Sequence, residues 1–128
     1  NRNYKPGDPV QDDFYLQMQG REVFKQAVRS LSAVCSELLE DHGLTLEDID
    51  LFIPHQANLR IIEAVGDRLK LGSEKIFVNL DEYGNTSAAS IPLGIGDACA
   101  QGRIRPGSRV LLSAFGGGFT WGAALLEF

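Results

Sequence analysis

Ile49-Asp50-Leu51-Phe52-Ile53-Pro54-His55-Gln56-Ala57-Asn58 passes from a short apolar run, closed by proline, into polar residues at the mouth of a helix. The run is too short for a helix and too apolar for an exposed edge, so it predicts a buried strand. From Gln56 to Lys70 the apolar residues Leu59, Ile62, Val65 and Leu69 return at steps of three and four, with Gly72 just beyond, which predicts an amphipathic helix. A buried strand leading directly into a helix is the unit from which parallel sheets are built.

Working outward, Phe24, Ala27, Val28, Leu31, Val34, Cys35, Leu38 and Leu39 share the same period. They predict a long helix from Arg21 to about His42, stopped by Gly43, with Lys25, Arg29, Ser32, Ser36 and Glu40 on its polar face. Thr45 to Asp48 reads as a short capped turn. Downstream, Ile76-Phe77-Val78 predicts a second strand, and Asp81 to Ser87 a turn whose Thr86 or Ser87 caps a helix running from Ala88 to Ala100. Gly94 and Gly96 lie inside that helix, so close packing must hold it where propensity does not. Arg109–Ala114 and Phe119–Phe128 predict two antiparallel strands around Gly116-Gly117-Gly118. The order is helix, strand, helix, strand, helix, strand, strand. It argues an α/β fold with a mostly parallel sheet and helices on both faces. No strand is legible before the first helix, and residues 1–19, with Pro6-Gly7 and Asp8-Pro9, read as a loop segment. The sheet is expected to lack its first strand.

Composition bounds the function. The chain has 128 residues, 44% hydrophobic and 23% charged, which suits one globular domain. Twelve Lys+Arg against 17 Asp+Glu give a net charge of −5 with no basic block, so a nucleic-acid binder is disfavoured. No apolar run is long enough to span a membrane. The first residues lack a signal-peptide core, and Cys35 and Cys99 have no CxxC spacing, so a cytoplasmic protein without a metal site or disulfide is expected.

Three segments could carry chemistry. His55 follows a buried strand at the sheet edge where open α/β proteins bind ligands, although a histidine there can equally be a helix cap. Asn85, in Gly84-Asn85-Thr86-Ser87-Ala88-Ala89-Ser90, occupies the same location one βα unit later, where a plain turn would also place it. An imidazole and a carboxamide at one sheet edge suit a developing oxyanion or enolate, because neutral fixed donors stabilise negative charge without titrating. Phe115-Gly116-Gly117-Gly118-Phe119 would allow close backbone approach and offer N–H groups, or would simply be a hairpin loop. Neither cysteine reads as a nucleophile. Cys35 falls on an apolar helix face, and Cys99 sits near a helix C-terminus, where a thiolate is disfavoured.

Pro-His-Gln-Ala-Asn at 54–58, Gly-Asn-Thr-Ser-Ala-Ala-Ser at 84–90 and Ala-Phe-Gly-Gly-Gly-Phe-Thr-Trp-Gly at 114–122 stand in one chain in that order. Together they resemble the C-terminal half of the β-ketoacyl-acyl carrier protein synthase III family, from about Gly20 to Phe128. The resemblance implies a thiolase-like half with a five-stranded sheet, as domain 20–128, and a decarboxylative condensation of malonyl-ACP with an acyl-CoA primer in fatty acid biosynthesis. It implies that His55 and Asn85 hydrogen-bond the malonyl thioester carbonyl and that Gly117 supplies an oxyanion N–H. Asn58 would line the pantetheine/CoA channel, while Arg60 and Lys25 would meet the acidic acyl carrier protein. No cofactor is implied beyond the substrates. The family's nucleophilic cysteine belongs to its other half, so this chain is expected to be a fragment, inactive alone, whose partner is the N-terminal half within a homodimer. Ala98-Cys99-Ala100 only imitates the nucleophile segment. A related condensing enzyme of polyketide or secondary metabolism, and a noncatalytic carrier-protein-binding module, are the alternatives.

Overall fold

A computed structural model describes residues 20–128; the loop reading of residues 1–19 lies outside the described residues. Helix α1 spans Gly20–Asp41, strand β1 Leu51–Pro54, α2 Leu59–Leu69, the one-turn α3 Leu80–Tyr83, α4 Ser90–Ala100, β2 Arg109–Gly116 and β3 Thr120–Glu127. Among the described residues the sheet has three strands in the order β1-β2-β3. β1 pairs with β2 in parallel, Leu51 facing Val110, and β2 pairs with β3 in antiparallel, Gly116 facing Thr120. The fold is an α/β arrangement with helices on both faces of a small mixed sheet. A mostly parallel, five-stranded sheet was expected, and the sheet seen is smaller and mixed.

β1 is buried on both sides, as its apolar run requires. Because successive side chains alternate, Phe52 joins Leu31, Cys35 and Leu39 of α1 with Val65 and Leu69 of α2, while Leu51 and Ile53 turn the other way to Phe77, Ala98 and Val110. Helices therefore cover both faces, α1 and α2 on one and α4 on the other. Fully burying each of these large side chains is worth roughly 1.5–3 kcal/mol, which makes β1 the anchor of both layers.

The glycines of α4 divide. A Cβ on Gly94 would stand 2.8 Å from Cγ2 of Ile53, so α4 can approach β1 only without a side chain there. Gly96 faces open space, and the close packing expected of it is absent.

Several sequence readings shift. The 76–78 strand reduces to a single parallel bridge between Phe52 and Ile76, although Phe77 is fully buried. The reason is the Gln56 side chain, whose Nε2 donates to Phe77 O at 3.1 Å and whose Oε1 accepts from Asn79 N at 3.2 Å. The backbone groups a longer strand would pair are already engaged. The helix expected from Gln56 begins at Leu59, because Gln56 and Ala57 make non-helical backbone bonds to Ser90 and His55. Leu59, in the first turn, is consequently exposed. α4 begins at Ser90 after a tight turn at 87–89, and neither Thr86 nor Ser87 makes a side-chain cap bond. Ser32 is buried, its hydroxyl donating to Val28 O at 2.6 Å, so the polar face of α1 is narrower than its sequence suggests. The Thr45 turn forms as read, with the Asp48 carboxylate accepting from the amide and hydroxyl of Thr45 at 2.8 Å each.

Candidate active site

The carboxyl end of β1 delivers the chain to His55. Its N–H continues the sheet by donating to Ser113 O at 2.7 Å, which fixes the residue one step past the strand. The imidazole is half-buried, with Nδ1 2.8 Å from Oγ of Ser90, the first residue of α4. Ser90 is fully buried, and its oxygen also accepts from Gln56 N at 2.7 Å. Burial holds the His55 pKa below its ordinary 6.5, so the ring is neutral at physiological pH.

His55 forms one wall of an open cavity of about 440 Å³, lined mainly by apolar side chains. Ser87 and Ala88 contribute from the turn before α4, Ile91 from the first turn of α4 itself, and Phe115, Gly116 and Trp121 from the β2–β3 hairpin. A neutral imidazole on a largely apolar wall is poorly matched to a bound cation and well matched to an uncharged carbonyl that acquires negative charge. Among the described residues no group of three His, Cys, Asp or Glu side chains could hold a metal ion.

The second expected donor stands differently. Asn85 is exposed and does not line the cavity, which its neighbour Ser87 does. Its Oδ1 accepts from Ser87 N at 3.0 Å, closing a local turn in which Ser87 adopts φ +53°. The Nδ2 amide has no partner among the described residues and remains able to donate. Gly117 is exposed in the hairpin loop, and its neighbour Gly116 lines the cavity instead. Asn58 is the N-cap of α2, Oδ1 accepting from Arg60 N at 2.9 Å. Arg60 lays its guanidinium 5.7 Å from the ring centre of Phe24 on α1, beside exposed Lys25, which pairs with Glu22 at 3.5 Å. Neither Arg60 nor Lys25 lines the cavity.

Both cysteines fail as nucleophiles here. Burial pushes the Cys35 thiol up to about 11, opposed only partly by the Ser113 hydroxyl. Cys99 is exposed in the last turn of α4, and neither lines the cavity.

Residues 39–128 match the family described as 3-oxoacyl-[acyl-carrier-protein (ACP)] synthase III C terminal. The chain belongs to that family. It is 68% identical over 125 residues to the β-ketoacyl-[acyl-carrier-protein] synthase III of Nitratidesulfovibrio vulgaris strain DP4, covering 98% of this chain and 38% of that protein. The crystal structure of 3-oxoacyl-[acyl-carrier-protein] synthase III from Aquifex aeolicus VF5 superposes with a TM-score of 0.88 at 50% identity, over 93% of this chain and 39% of that one. The priming β-ketosynthase of the R1128 polyketide pathway superposes at 0.79 with 37% identity, over 87% and 34%. The chain therefore spans well under half the length of the synthase III relatives it matches.

Gln56 and Ser90 stand inside the synthase III motifs, yet no chemical role for either is legible from the residues alone. Together they form the polar hub behind His55. A glutamine directly after the histidine was the available signal, and its meaning depends on partners 21 to 34 residues away.

Proposed function

We propose that this chain is the malonyl-activating part of a β-ketoacyl-ACP synthase III, an acyltransferase of fatty acid biosynthesis working in the cytoplasm. The supporting observation is His55: a neutral imidazole anchored at the carboxyl end of a buried strand on the wall of an apolar cavity. In the proposed reaction, malonyl-ACP loses carbon dioxide and the electron pair of the broken C–C bond moves into the thioester carbonyl. His55 and Asn85 donate hydrogen bonds to the oxygen as it becomes an enolate. The enolate carbon then bonds to the carbonyl of an acyl-cysteine and expels the thiolate. That cysteine, loaded from acyl-CoA, belongs to the N-terminal part of the enzyme, since Cys35 and Cys99 are unsuited to the role. The electron pair comes from the substrate, so no cofactor is invoked. Gly117 supplies a backbone N–H to the thioester oxyanion, and Asn58 lies along the pantetheine channel. Arg60 and Lys25 meet the acidic carrier protein, and the complete enzyme is a homodimer.

The test separates the two half-reactions in the complete enzyme. His55→Ala is expected to cut malonyl decarboxylation while leaving acyl loading of the cysteine near its parent rate; equal loss of both steps would overturn the assignment. Arg60→Glu is expected to weaken carrier-protein binding most at low salt, and a salt-independent effect would count against surface steering. A priming role in polyketide synthesis is the second reading, favoured by the likeness to the R1128 enzyme. Acyl-primer preference distinguishes the two.

A further inference from the structure

The two ring nitrogens of His55 are chemically distinct, and a carbonyl in the cavity can be served only by one that carries a proton. Which one does so follows from counting the hydrogens around Ser90.

The Ser90 oxygen is buried, with two neighbours in hydrogen-bond reach among the described residues. The first is Gln56 N, 2.7 Å away, which is a backbone N–H and can only donate. Its position is firmly held, because the Gln56 side chain engages three backbone groups: Pro54 O at 2.9 Å, Phe77 O at 3.1 Å and Asn79 N at 3.2 Å. The second neighbour is Nδ1 of His55, 2.8 Å away. If Nδ1 carried a proton, the serine oxygen would accept twice and its own O–H would be buried without an acceptor. An unmet buried donor costs more than a typical hydrogen bond contributes. If Nδ1 is bare, every group is satisfied: Gln56 N–H donates to Ser90 Oγ, and Ser90 O–H donates to Nδ1.

We infer that Ser90 is a positioning residue whose hydroxyl holds His55 in the tautomer with its proton on Nε2, so that the imidazole presents an N–H to the cavity. Nε2 has no partner among the described residues, and its ring lines the cavity. The same contact opposes protonation, since an imidazolium would also turn Nδ1–H toward an oxygen already accepting from Gln56. This assignment deepens the proposed function and rests on it for its catalytic meaning. The tautomer itself is independent of any substrate.

The experiment uses the complete enzyme with 15N-labelled histidine and no substrate. Two-bond 1H–15N spectra identify the protonated nitrogen of His55, assigned by its loss in His55→Ala. The expected result is a proton on Nε2 with Nδ1 accepting. In Ser90→Ala the Nδ1 resonance should shift and malonyl decarboxylation fall about tenfold, the size of one lost hydrogen bond, with acyl loading unchanged. Ser90→Thr, which keeps the hydroxyl, should restore both. A proton on Nδ1 in the parent enzyme overturns the inference without any Ser90 variant. So does a folded Ser90→Ala enzyme whose His55 signals match the parent. If Ser90→Ala moves the resonance while His55→Ala leaves decarboxylation intact, the tautomer assignment stands and the proposed role of His55 fails instead.

Discussion

The loops that follow β1 and α3 carry the two candidate donors, and they hold them by different means. His55 is tied through Ser90 and Gln56 to a core that spans β1, the 77–79 segment and α4. Among the described residues Asn85 is tied only to Ser87, two residues away and exposed. Both arrangements leave one nitrogen free to donate, but the first is rigid because it is buried and the second is local. The comparison teaches that loops at successive points of the chain can hold a polar side chain by different means, one through the buried core and one through local turn geometry.

The largest effect expected is that of His55→Ala, about a 10³-fold loss of decarboxylation, at the upper end for a single preorganised donor. Asn85→Asp should lose about 10²-fold while keeping the turn, because a carboxylate still accepts from Ser87 N but cannot donate from the Nδ2 position. Should Asn85→Asp retain the parent rate, the carboxamide is a turn former and the two loops are not a functional pair.

The linkage between α4 and His55 offers a sharper cut. Gly94→Ala forces a Cβ against Ile53 and should destabilise the enzyme by about 1–3 kcal/mol in thermal or denaturant unfolding. By moving Ser90 relative to β1 it should also disturb His55 more than Asn85. Gly96→Ala meets open space and should be neutral or stabilising by up to about 1 kcal/mol.

The smallest effect concerns pH. The His55 pKa lies below the 6.5 of an unfolded histidine, so in acid the unfolded chain binds the proton first. The stability associated with a neutral His55 is complete above 6.5 and is lost as pH falls through 6.5 toward the folded value. Decarboxylation should accordingly keep its neutral-pH rate down to about that point. A decline beginning above 6.5 would show that His55 is not shielded as described.

Much of this was legible in the residues themselves. The apolar run at 49–53, the periodic faces of 24–39 and 62–69 and the paired strands around three glycines determined the α/β class, because burial on two faces or one stripe writes itself into local spacing. The segment 54–58 likewise placed His55 at a strand end, where proline closes the run. The family resemblance was also carried by local motifs. Only the tertiary structure could shorten the 76–78 strand, delay α2 to Leu59 and separate Gly94 from Gly96. Each depends on what a distant segment brings alongside: the Gln56 amide, the Ser90 hydroxyl, the Ile53 methyl. The same holds for the neutral state of His55. Desolvation and the count of buried hydrogens around one oxygen are properties of packing, and no spacing along the chain encodes them.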